Sequence, residues 1–227
     1  MDASRSPELQ DLPGIVSRGT AVFRRAWLPA IGMAIAVLGL AGAARFTAQQ
    51  FVENENLLPA FIIDAAGLTA ATVLALPWFR LMLSAERDEE LSMPKPSSLG
   101  WSSMIVASLF FWGGVLFAIR YLGFLFVIGA PLIVVWYGLF GFAVADGTSP
   151  GFNALGVSVR LGQGRRWTLG VLALILGFLN FLALLPIGAG VNPATVAGAF
   201  LLLAITTNVA MGAGAHIYDW LLKSEGK

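Results

Sequence analysis

Long apolar runs separated by short polar breaks make up most of this chain, and that alternation predicts helices that cross a bilayer. The run over residues 26–44 ends at Arg45, and its length matches a hydrocarbon layer of about 30 Å at roughly 1.5 Å per residue. The polar piece 47–56 that follows, with Glu53 and Glu55, reads as an outer loop. The run 57–83 is long enough to tilt, or to kink at Pro77, and it encloses one acid, Asp64. Residues 84–98, rich in charge and with breakers at Pro94 and Pro96, form a connection. Residues 101–145 are too long for one crossing and contain a single charge, Arg120. They divide there into spans over 101–119 and 123–145, with 120–122 a tight turn and Pro131 a kink. Two further spans, 168–185 and 194–217, are joined by an outer turn at 186–193. The predicted fold class is all-α, a polytopic membrane bundle of six transmembrane helices.

Two stretches have a different periodicity. From Leu12, apolar positions recur at helical spacing through Ile15, Val16, Gly19, Val22 and Phe23, while Arg18, Arg24 and Arg25 scarcely interrupt that face. This predicts an amphipathic helix with its oily side on lipid or on the bundle and its arginines toward anionic headgroups. An ordinary helical extension of the first span fits the pattern equally well. The second stretch, 143–167, is a long polar interruption between two oily halves and reads as a hinge. Ser149 before Pro150 predicts a helix start, because serine caps an orphan N–H and proline has none to leave unpaired. A hinge helix over about 150–163 would bury Phe152, Leu155 and Val159, turn Asn153 and Arg160 elsewhere, and stop at Gly162 or Gly164. The organisation is a segment 1–25 with the amphipathic helix, a transmembrane domain 26–217, and a polar tail 218–227.

Composition sharpens the class. The chain is 57% hydrophobic and 12% charged, with a mean hydropathy of +0.79, where a soluble domain carries about 25% charged residues. A net charge of +1 without a basic run leaves no footprint for nucleic acid. The absence of cysteine removes disulfides, thiolate metal sites and cysteine nucleophiles. The N-terminus does not read as a cleavable signal, since the first oily run starts near Ala26 after acidic as well as basic residues. On the six-span reading twelve arginines and lysines fall on one side, and only Arg45 and Arg120 on the other. Positive charge stays inside, so both termini are expected in the cytoplasm; the excess of arginine over lysine, with abundant alanine and glycine, points to a GC-rich bacterial genome and hence to an inner membrane.

The approaches to spans one and five are variants of one device: Arg18 then Arg24-Arg25-Ala26-Trp27, and Arg160 then Arg165-Arg166-Trp167. Lys95 and Trp101 hold the equivalent place before span three, without the arginine pair. Three copies of a surface helix followed by a membrane hairpin would produce this, and so would convergent snorkelling at an inner boundary. Asp146-Gly147 at the inner end of span four, Ala154-Leu155 with Ser158 and Leu161, then Gly164-Arg165-Arg166-Trp167, together resemble the membrane domain attached to some glycerophosphodiester phosphodiesterases and its stand-alone bacterial relatives. His216-Ile217-Tyr218-Asp219 followed by Leu221 is similar to the aromatic ending of that group. The resemblance covers most of the chain through short motifs. It implies six helices with cytoplasmic hinge helices, and the phosphodiesterase barrel has no counterpart here.

Candidate chemistry is sparse. Asp64 is the leading polar intramembrane position, because an acid within a span faces a partner or a wet cavity, and Arg120 is a candidate partner. Asn180 and Asn208 can bond across helices where water is scarce. Arg18, Arg24, Arg25, Arg80, Arg165 and Arg166 are the candidate headgroup contacts. His216, the sole histidine, stands beside Tyr218 and Asp219 without an acid cluster and reads as interfacial. No paired histidines, clustered aspartates or Walker loop appear, so neither cofactor nor metal nor catalytic constellation is expected. The expected partners are membrane lipids with anionic headgroups. The expected function is structural, scaffolding or lipid-interacting, the alternative being a small-solute or lipid transporter with a site near Asp64.

Overall fold

The computed structural model describes residues 12–91, 98–121, 135–188 and 190–225, and every regular element among them is helical. In chain order these are α1 (Leu12–Arg25), α2 (Trp27–Glu53), α3 (Leu57–Leu74), α4 (Leu76–Glu86), α5 (Ser98–Tyr121), α6 (Phe140–Ala145), α7 (Asn153–Leu161), α8 (Arg166–Leu182), α9 (Leu185–Gly188) and α10 (Pro193–Glu225).

Four helical stretches are long and apolar enough to cross a membrane, namely α2, α3 with α4, the Leu99–Phe117 part of α5, and α10; α7 with α8 makes a fifth if the bent pair counts as one. The protein is therefore a membrane-embedded helical protein. The described residues stop short of the six crossings expected from the hydropathy pattern. Most of the fourth expected span, together with its Pro131, lies in 122–134, outside the described residues, as do 1–11 and Pro94, Lys95 and Pro96. The fifth ends at Leu182 after 17 residues, and the chain re-forms a short helix at Leu185.

Several boundaries differ from the expected ones. The first span does not stop at Arg45, because the helix continues through Thr47 and Gln50 to Glu53. Alanine and glutamine favour the helix there, and nothing before Asn54 breaks it. The last helix likewise runs through the expected polar tail to Glu225. Tyr218, Asp219 and Leu221 are buried, so tertiary packing holds the tail in place. At about 1.5 Å per residue, a helix of this length outruns a hydrocarbon layer of about 30 Å by more than ten residues. Its polar end from Asp219 stands beyond the apolar stretch, as does the end of α4 from Ser84. The break between α3 and α4 falls at Ala75, where Pro77 has no N–H to offer and its ring crowds the carbonyl of Val73.

The hinge helix begins at Asn153 and not at Pro150. Gly151 takes a positive φ of 60°, which ends the preceding turn after Pro150. Its buried face is Ala154, Leu155, Val157, Ser158 and Leu161. Phe152 lies ahead of the helix, half exposed, edge-on to Phe110 at 4.8 Å.

The chain condenses into two compact units, one drawn from Met1–Ile35, Trp78–Met93 and Arg160–Lys227, the other from Ala36–Pro77 and Pro94–Val159. In the second unit α3 packs along α5, and Trp112 donates its indole N–H to Thr72 Oγ1 at 2.7 Å. Also within it, Gly67 meets Ala44 so closely that a Cβ at Gly67 would overlap the alanine methyl. In the first unit α1 packs along α10.

Candidate functional site

The first unit gathers most of the charged groups that the sequence leaves scattered. The helical spacing of α1 buries Leu12, Ile15, Gly19 and Val22, and Ala26, Ala30 and Ala34 continue the buried series into α2. Of the two surfaces open to the amphipathic helix, lipid or bundle, the buried face lies on the bundle, against α10. The approach is close enough to demand glycine: a Cβ at Gly19 would stand 2.7 Å from the backbone of Ala213 and Val209, and one at Gly212 would strike the Gly19 carbonyl.

This docking carries Arg18 and Arg25 to the end of α4, where the last carbonyls of a helix have no partners of their own. Arg18 Nε donates to Glu86 Oε2 at 3.0 Å and its Nη2 to the Glu86 carbonyl at 3.3 Å. Arg25 pairs with Asp88 and donates to the carbonyls of Ala85 and Glu89, each at 3.3 Å. Two arginines thus satisfy carbonyls where the helix dipole favours positive charge. From α10, His216 Nδ1 lies 2.9 Å from Glu86 Oε1. An ionised carboxylate only accepts, so Nδ1 carries the proton in this contact. The sequence around His216 shows no acid cluster, and the single acid it meets comes from α4, 130 positions away.

A second node adjoins it. Arg87 Nε donates to Asp219 Oδ1 at 2.7 Å, and Lys223 reaches the other oxygen from one turn on along α10. Burial opposes ionisation of Glu86, but hydrogen bonds from His216 and Arg18 outweigh it and hold the carboxyl below its ordinary value. Burial likewise opposes the charge on Asp219, and Lys223 and Arg87 outweigh it in the same direction. Arg80 lies 3.6 Å from Glu89, which also accepts from Ser84 Oγ at 3.3 Å. Arg165 donates to Ser224 Oγ at 3.2 Å and lies 4.4 Å over the Trp220 ring.

The six candidate headgroup arginines therefore differ in what they touch. Arg18, Arg25, Arg80 and Arg165 each engage a partner in this unit, whereas Arg24 is exposed on α1. Arg166, at the start of α8, is exposed but not free of interactions, and its neighbour Trp167 is 85% exposed.

The intramembrane candidates do not share one unit. Asn208 is fully buried in the first, where its Oδ1 accepts the Trp78 indole N–H at 3.0 Å and its Nδ2 donates to the carbonyls of Ala204 and Ala30 at 2.9 and 3.3 Å. Asn180 of α8 accepts from Thr207 at 3.5 Å, one residue before Asn208. Asp64 belongs to the second unit and pairs with Arg45, not with the expected Arg120, whose side chain lies outside the described set. Asp64 Oδ1 and Thr69 Oγ1 are buried without a hydrogen-bond partner among the described residues.

No group of three metal-ligating side chains occurs among the described residues. No family model, curated protein or solved structure matches this chain.

Proposed function

We propose that this is a non-enzymatic, lipid-interacting scaffold of a bacterial inner membrane, crossing the bilayer six times with both ends in the cytoplasm. The observation that carries the reading is Asn208. The most deeply buried side-chain amide among the described residues spends its oxygen and its nitrogen on Trp78, Ala204 and Ala30, as a packed bundle requires and a solute pathway does not. The resemblance to the membrane domain of certain glycerophosphodiester phosphodiesterases, and the arginine pair shortly before a tryptophan at the entries to spans one and five, support six helices built from repeated hairpins. The basic residues gathered where α1, α4 and α10 end, Arg18, Arg25, Arg87 and Lys223, support placing those ends on the positive side.

A transport reading has one observation in its favour, the buried oxygen of Asp64 that lacks a partner. The two separate on lipid co-purification and uptake. On the scaffold reading, protein extracted in mild detergent retains anionic lipid above its share of the membrane, and an Asp64→Asn strain takes up solutes as the parent does. Loss of uptake of any one solute in that strain, with membrane insertion unchanged, sinks the scaffold reading in favour of transport.

A further inference from the structure

We infer that the first unit carries a specific site for one anionic phospholipid, with an acyl chain in a groove between α1 and α8 and the phosphate on Arg24. This rests on the lipid-interacting reading and narrows it to a place and a headgroup charge. The groove has a volume of about 520 Å³ and is walled by Pro13, Val16, Ser17 and Thr20 from α1 and by Ile175 and Leu179 from α8. That volume lies within the range of about 300–1,000 Å³ in which small ligands are held. The Thr20 hydroxyl donates to the Val16 carbonyl at 3.0 Å, so it turns inward to its own helix and leaves its methyl for the groove.

Pro13, Ser17, Thr20 and Arg24 are spaced four, three and four residues apart and form one stripe of α1. Arg24 therefore stands about 6 Å along the axis beyond Thr20, and helical side chains lean back toward the N-terminus, over the preceding turn. It is the next residue on that stripe past the groove's lining, within reach of a phosphate held at the groove's end. The neighbouring arginines are committed elsewhere, Arg18 to Glu86 and Arg25 to Asp88, while Arg24 is exposed and meets no carboxylate among the described residues. The occupant comes from the bilayer, because the rest of α8 exposes Leu174, Phe178 and Phe181 as a membrane-facing surface continuous with Ile175 and Leu179. A neutral lipid fills the groove without answering the arginine; an anionic one answers both.

The test is native mass spectrometry of the full chain titrated with phosphatidylglycerol and with phosphatidylcholine of the same acyl chains. One arginine at a membrane surface contributes about a fivefold preference for the anionic lipid. Arg24→Gln brings that ratio close to one, and Val16→Trp, which fills the groove, abolishes the single tight site for both lipids. Because Val16→Trp risks misfolding, a second measurement uses Ser17→Cys carrying a fluorophore and phosphatidylglycerol brominated on its chains. Quenching at Ser17 saturates at a lower lipid fraction than quenching of the same label at Leu174→Cys. Equal saturation at the two positions, or an unchanged ratio in Arg24→Gln, overturns the site. A preference for phosphatidylglycerol that survives both Arg24→Gln and Val16→Trp also overturns it while leaving the broader lipid-interacting reading in place. No preference in the unaltered protein removes both.

Discussion

Burying an amide in an apolar bundle costs free energy unless every polar atom finds a partner, and Asn208 meets that condition with Trp78 on α4 and carbonyls from Ala30 and Ala204. Asn208→Leu keeps the volume but strands the Trp78 indole N–H, so it should destabilise the protein by about 1–3 kcal/mol. Thermal unfolding in detergent reads this directly, and a melting curve unchanged from the parent would contradict the pairing. Gly212 answers a different constraint. Its missing Cβ is what lets α1 reach α10, and the atoms in the way are backbone, which cannot swing aside. Gly212→Val should therefore cost at least the 1–3 kcal/mol typical of overpacking and should release α1, seen as faster backbone hydrogen exchange across Leu12–Arg25. The same substitution at Gly113, which has open space around it, leaves exchange in α1 as it was.

Among the helices, α1 is the one whose position depends most on charge. Its apolar face supplies the contact, but Arg18 and Arg25 lock it to the end of α4, and His216 adds α10 to the same carboxylate. The Glu86 pKa is lowered in the folded protein. Its contribution is therefore fully present above the ordinary glutamate value of about 4.3 and is lost as pH falls through the lower folded value. Asp219 acts in the same direction. Acidification below about pH 4 should loosen α1 and the end of α10 together, with hydrogen exchange rising there before it rises in α3 or α5. Glu86→Gln should make α1 exchange faster at neutral pH and flatten its response to acid. An unaltered acid profile in that variant would show that the clasp is not what holds the helix.

At the scale of the whole molecule, membrane topology is the property on which the functional reading turns, and the chain is well suited to mapping it because it contains no cysteine. Single cysteines at Asn54 and Asn192 should react with an impermeant thiol reagent in intact cells from which the outer membrane has been stripped, and cysteines at Gln163 and Ser224 only after lysis. Labelling of Asn54 and Ser224 from the same side would break the six-span arrangement with both ends inside. Much of the architecture was legible beforehand: the helical class, the placement of α1 from Leu12, the break beside Pro77 and the apolar stretches of α2, α5 and α10 all follow from hydropathy, helical period and proline. Helix ends were read less well, because Arg45 and Tyr218 mark where oily residues stop and not where hydrogen bonds stop. A helix continues past such a point whenever its backbone is unbroken or a neighbour packs on it.

The candidate site was hardly legible at all. Arg18, Glu86, His216 and Asp219 each look like ordinary boundary charges in the sequence, since pairing between residues 68 or 130 positions apart leaves no mark on local period or spacing. Hydrophobicity, being a property of each residue summed over a run, settled by itself that the protein lives in a membrane as helices. Which arginines are occupied, which oxygen of Asp64 is left over and which glycines must stay bare depend on distances between separate helices, and only the packed structure decides those.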